Sequence, residues 1–93
     1  MTAIDARMIE DGDPFVFDVT VRDQGSETQH RVTLSQNDLL RFGGGADAQR
    51  FISAAFRFLL DREAKESILA RFDMSDVAGY FPEFEQKLPE YLA

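Results

Sequence analysis

Between Asp47 and Arg62, apart from the cap regions, the polar side chains Arg50, Ser53, Arg57 and Asp61 recur three or four residues apart, and the rest is Phe, Ile, Leu or Ala. A helix with so narrow a polar stripe has to be covered on two sides. The simplest division sends Phe51, Ala55, Phe58 and Leu59 toward one layer and Ile52, Phe56 and Leu60 toward another. A chain of 93 residues has room for one hydrophobic core, so this helix is expected at the centre of a single domain spanning residues 1–93.

The first third of the chain supplies one covering layer. From Phe15 to Arg22 the residues alternate, with Phe15, Phe17, Val19 and Val21 on one face and Val16, Asp18, Thr20 and Arg22 on the other, which is the pattern of a half-buried strand. The turn residues Asp23-Gln24-Gly25-Ser26 follow. A second alternating run then sets His30, Val32 and Leu34 opposite Gln29, Arg31 and Thr33, so a hairpin is expected. Ile4, Ala6 and Met8 also alternate before the break at Asp11-Gly12-Asp13-Pro14, which makes residues 3–10 a candidate third strand.

Ser35-Gln36-Asn37-Asp38 has the spacing of a helix N-cap, and Gly43-Gly44-Gly45 closes that short helix near Phe42. Beyond Glu63, Ile68, Leu69 and Phe72 suggest one or two helical turns, and Asp73 caps a segment reaching Tyr80. Pro82 restarts the chain into a last helix with Phe84, Leu88 and Tyr91 inward, and Pro89 is expected to end or fray it over residues 89–93, as the start frays over 1–3. The fold class expected is α+β: a hairpin or three-stranded antiparallel sheet on a central helix, with short C-terminal helices on its other side.

Charge and composition exclude several functions. Seventeen acidic residues against ten basic ones give a net charge of −7, which disfavours nucleic acid and anionic membrane as partners. With no cysteine there is no thiolate metal site or cysteine nucleophile, and a reducing cytoplasmic setting is the simplest expectation. The N-terminus lacks the charged start and apolar run of a signal peptide, and no stretch reaches the roughly 18 apolar residues of a membrane span.

The run Phe56-Arg57-Phe58-Leu59-Leu60-Asp61-Arg62-Glu63, with Glu66-Ser67-Ile68-Leu69, Phe72-Asp73, Ser75 and Tyr80-Phe81-Pro82-Glu83-Phe84-Glu85, resembles a group of short uncharacterised bacterial proteins. Their shared pattern reads FxFLLxREPKESIL, then FDLSxI and YFPEFE, so the likeness covers roughly the C-terminal 40 residues. The chain departs from it at Ala64, where the pattern has proline, and at Val77-Ala78-Gly79. The resemblance implies a bacterial, cytoplasmic origin and brings no activity, cofactor or catalytic residue.

Each candidate for chemistry has a simpler structural reading. His30 is the only histidine; it could serve as a base or ligand, but it shares a strand face with Val32 and Leu34 and has no second soft ligand. Any serine triad through Ser26, Ser35, Ser53, Ser67 or Ser75 would need this same histidine, and no G-x-S-x-G elbow is present. Asp11-Gly12-Asp13 lacks the ladder of a calcium loop. Gly43-Gly44-Gly45 lacks the Gly-Lys-Ser/Thr of a phosphate loop, and Asp47 competes for the same helix end. The carboxylate pairs Asp73 with Asp76 and Glu83 with Glu85 read as helix caps.

Two constellations remain. The order of strand, short helix and long helix imitates a ribbon-helix-helix DNA binder or antitoxin, with Gln29, Arg31 and Thr33 as base readers; against it stand the hairpin, the brief first helix and the negative charge. The bend Tyr80, Phe81, Pro82, Glu83 and Phe84 sets three rings among acids, suited to anchoring a partner. The function expected is therefore a non-enzymatic protein-interaction or regulatory module, acting alone or as a homodimer, contacting its partner through that bend or an open edge of the sheet and needing no cofactor or metal. DNA binding is the alternative, and a small enzyme without a recognisable motif is the third class.

Overall fold

The alternation in the first third of the chain builds a sheet. In the computed structural model, which describes residues 2–93, β1 (Ala3–Glu10), β2 (Phe15–Asp23) and β3 (Ser26–Leu34) form an antiparallel meander. Within the expected Asp23–Ser26 turn the loop is two residues long, with Gln24 and Gly25 at φ 54° and 80°, a backbone whose twist matches the flanking strands. Register places Ile4 beside Val21, Ala6 beside Val19 and Met8 beside Phe17, so residues 3–10 are a strand; the first residue of the expected frayed start over 1–3 lies outside the described residues. Phe17, Val19, Val21, His30, Val32 and Leu34 are all buried on one face.

The helices follow in two groups. Ser35 caps α1 (Gln36–Gly43), its Oγ accepting from the Asp38 amide at 3.0 Å, and Gly44 ends it in the left-handed conformation at φ 58°. Asp47 caps α2 (Ala48–Leu60) through the Arg50 amide. Both faces of α2 are covered as the polar stripe requires. Phe56 meets His30 and Phe72 on the sheet side, at centroid distances of 5.5 and 6.0 Å, while Phe58 meets Phe81, Phe84 and Tyr91 at 5.7, 5.1 and 5.8 Å on the other. Those edge-to-face pairs join α2 to the C-terminal helices. No helix among the described residues is long and apolar enough to cross a membrane.

Two expectations are corrected here. A 3-10 turn (Lys65–Ser67) follows α2, but Ile68, Leu69 and Phe72 lie outside any helical turn, and Phe72 belongs to a strand: β4 (Arg71–Asp73) pairs parallel with β3 and completes a sheet of order β1-β2-β3-β4. Three residues are too few to show an alternation, and long-range bonds hold them instead. The Arg31 amide donates to the Ala70 oxygen at 2.7 Å, and the Thr33 hydroxyl donates to the Asp73 carboxylate.

The second correction concerns Pro89. Asp73 caps α3 (Met74–Tyr80) in a reciprocal capping box with Asp76, and Phe81 is extended before Pro82. The last helix, α4 (Phe84–Leu92), continues through Pro89 instead of ending there. Its terminus is held by the polar stripe of α2: Arg57 donates to the Tyr91 oxygen, Arg50 to the Leu92 oxygen at 2.6 Å, and the Tyr91 hydroxyl to Asp61 at 2.6 Å. Cationic donors at a helix C-terminus satisfy orphan carbonyls and the dipole together, which offsets the local penalty of proline.

The outer face of the sheet is exposed along its middle row at Arg7, Arg31 and Arg71. Register lines up Arg7, Asp18, Arg31 and Arg71 over all four strands. The hydrogen bond from Arg31 lowers the Asp18 pKa against a smaller desolvation effect, and Arg7 and Arg71 lower it further.

Candidate functional site

Side chains from the end of α2, the segment before β4, β4 itself and α3 line an apolar groove of about 400 Å³. The C-terminal end of α2 contributes Leu59, the segment before β4 contributes Ile68 and Leu69, and α3 contributes Val77 and Tyr80, with Phe72 and Phe81 between them. Burial of Ile68 and Val77 makes a floor. Leu69 and Tyr80, at 56% and 75% exposed, stand as walls. Glu63 and Asp76 are on the lining and no lysine or arginine is, so the groove is apolar with an acidic rim. Among the described residues no cation lies within ion-pair distance of either carboxylate.

The walls are held from behind. Leu69 is in position because its main-chain oxygen accepts from His30 Nδ1 at 2.8 Å, and α3 is in position because Asp73 joins β4 to its first turn. Burial raises the Asp73 pKa, but hydrogen bonds from the Ser75 hydroxyl, the Thr33 hydroxyl and the Ser75 amide outweigh it and leave the carboxyl below its ordinary value. The groove therefore sits on a preorganised frame.

Of the five residues at the bend, two line this groove. Tyr80 is its outer wall, and Phe81 is half-buried with its ring against Phe58. Pro82 is exposed beyond it. Glu83 turns toward Arg62, which donates to it at 3.0 Å and lies 3.6 Å over the Phe58 ring; its own backbone amide, then Arg62, lower the Glu83 pKa. Phe84 is fully buried among Phe42, Phe51 and Phe58 and is not accessible to a partner. Leu59, Glu63, Ile68, Leu69, Phe72, Asp76 and Val77 were not legible as one site, because they come from four separate segments. The one local signal was Ile68-Leu69, two adjacent aliphatics that cannot both face inward on one short turn.

The other candidates resolve into structure. His30 is buried, with Nδ1 on Leu69 and Nε2 on the Thr28 hydroxyl at 2.8 Å, and no serine reaches it. Asp13 accepts from the Gln36 amide at 3.1 Å, and Asp47 fills the helix end that a phosphate would need. Glu85 is 3.5 Å from Arg41. Gln29, Arg31 and Thr33 share the outer sheet face, where Arg31 is bound to Asp18 and Thr33 to Asp73. Since β3 is flanked by β2 and β4 of its own chain over Arg31–Thr33, it has no free edge there to form a two-chain ribbon.

No family model, curated protein or solved structure matches the chain.

Proposed function

We propose that the chain is a non-enzymatic protein-interaction or regulatory module of the bacterial cytoplasm, and that the groove between α2, the segment before β4 and α3 seats an apolar side chain of a partner peptide flanked by basic residues. The observation that carries this reading is the pairing of an exposed Leu69 and Tyr80 with an acidic rim. An apolar pocket favours a desolvated anchor, and carboxylates at its edge favour lysine or arginine beside that anchor. The chain's net charge of −7 acts in the same direction at longer range.

The reading is tested with an array of capped peptides carrying a central Leu, Ile or Phe between either Lys/Arg or Asp/Glu neighbours, followed by titration into isotopically labelled protein. Basic-flanked peptides are expected to bind, to shift the amide resonances of Leu69, Val77 and Tyr80, and to lose binding in Leu69→Ala and Tyr80→Ala. An array without binders, or binders indifferent to both substitutions, would overturn it.

A further inference from the structure

The strand at the opposite edge of the sheet is complementary to itself. Its free main-chain groups follow from the hairpin beside it. The two-residue turn makes Asp23 and Ser26 a hydrogen-bonded pair, so by alternation Phe17, Val19 and Val21 bond to β3, while Asp18, Thr20 and Arg22 bond to β1. Their partners Arg7, Asp5 and Ala3 are satisfied within the sheet, which leaves the amides and carbonyls of Ile4, Ala6 and Met8 pointing outward. The Gln49 side-chain amide, donating to the Ala6 oxygen at 2.9 Å, caps that edge at its centre.

We propose that β1 pairs antiparallel with β1 of a second copy about a two-fold axis at Ala6, joining two four-stranded sheets into one. In this register Ile4 faces Met8 of the second copy and Ala6 faces its own image, so all the outward-pointing groups from Ile4 to Met8 meet in phase. On the outer face Asp5 lies opposite Arg7 of the second copy, and symmetry repeats the pair. Sliding the strands by two residues sets Asp5 against Asp5 in one direction and Arg7 against Arg7 in the other. Sliding them by one puts the free amides out of phase with the carbonyls. The charges thus select one register.

Exposure agrees with this assignment at one end of the strand, whereas Ala6 at the centre is 4% exposed and its oxygen is bonded to Gln49 in the single chain. Met8 and Ile9 are 39% and 42% exposed in the single chain although both are apolar, and the bulge between Met8 and Glu10 ends the regular pairing. Gln49 is exposed and shields the centre of the edge while the chain is alone; the arriving strand takes over its bond to Ala6. The seam lies across the sheet from the groove and does not depend on what the groove binds.

Sedimentation velocity of the full chain over a range of concentrations tests the proposal. A reversible dimer is expected. Asp5→Arg alone and Arg7→Asp alone should each weaken it roughly tenfold, whereas mixing the two variants restores opposite charges at every position and should restore association. Circular dichroism shows that each variant is folded. Because the chain has no cysteine, register is read independently by oxidising a mixture of Asp5→Cys and Arg7→Cys chains, which should link to each other in preference to themselves. A chain that stays monomeric, a dimer not rescued by mixing, or self-linking that matches cross-linking would overturn the proposal.

Discussion

His30 donates through Nδ1 to the main-chain oxygen of Leu69 across 39 positions of sequence, at 2.8 Å. A carbonyl oxygen only accepts, so Nδ1 carries a proton, and in the neutral ring Nε2 then accepts from the Thr28 hydroxyl. The chain's only histidine is therefore a strut beneath one wall of the groove.

His30→Ala should lower stability by about 2–4 kcal/mol, since it orphans the Leu69 oxygen and removes a ring packed on Phe56. Urea denaturation measures it as a lower midpoint with an unchanged slope. The same variant should weaken peptide binding in the groove while leaving Tyr80 intact.

Asp73 predicts a pH dependence. Its folded pKa lies below the ordinary 3.8, so its contribution is fully present above that value and is lost as pH falls through the lowered folded pKa. Asp73→Ala removes the cap of α3 and should cost about 1–2 kcal/mol at neutral pH. Melting curves taken from neutral to strongly acidic pH should show the variant and the parent converging at the acid end.

Phe84 and Tyr80, four residues apart, should behave oppositely. Phe84→Ala empties a fully buried ring site touching three other rings and should cost about 3–5 kcal/mol, a large part of a small domain's stability. Tyr80→Ala, at an exposed position, should stay within about 0.5 kcal/mol. Paired denaturation curves distinguish them.

The last turn of α4 depends on α2. Replacing Arg50 and Arg57 together by alanine frees the Tyr91 and Leu92 oxygens, and the turn containing Pro89 should fray at a cost of about 1 kcal/mol. Hydrogen exchange at Leu92 and Ala93 should accelerate before any change in β2.

The hairpin, the caps at Ser35 and Asp73, and the two-sided burial of α2 were legible because each is written in neighbouring residues, while residues 3–10 were legible only as a candidate strand. Alternation, cap spacing and a polar stripe are local signals. The course of α4 past Pro89 was not legible, because arginines more than thirty positions earlier hold it, and no propensity contains that information. β4 was hidden for the same reason, being three residues fixed by Arg31 and Thr33. The bend at Tyr80 was visible as a surplus of aromatics, but which rings were surplus depended on packing: Phe84 completes the core, and only Tyr80 and Phe81 reach the groove.

The parallel pairing of β4 with β3 has a consequence for timing. Phe72 and Leu69 reach their places only when a segment some forty residues downstream of β3 returns to it, after the chain has passed through both α1 and α2. Contacts that close so long a loop are expected to form after the local β2–β3 hairpin, which would leave the groove without walls in a partly folded chain. Anything that binds there engages only molecules whose sheet is complete, and by mass action holds that last strand in place.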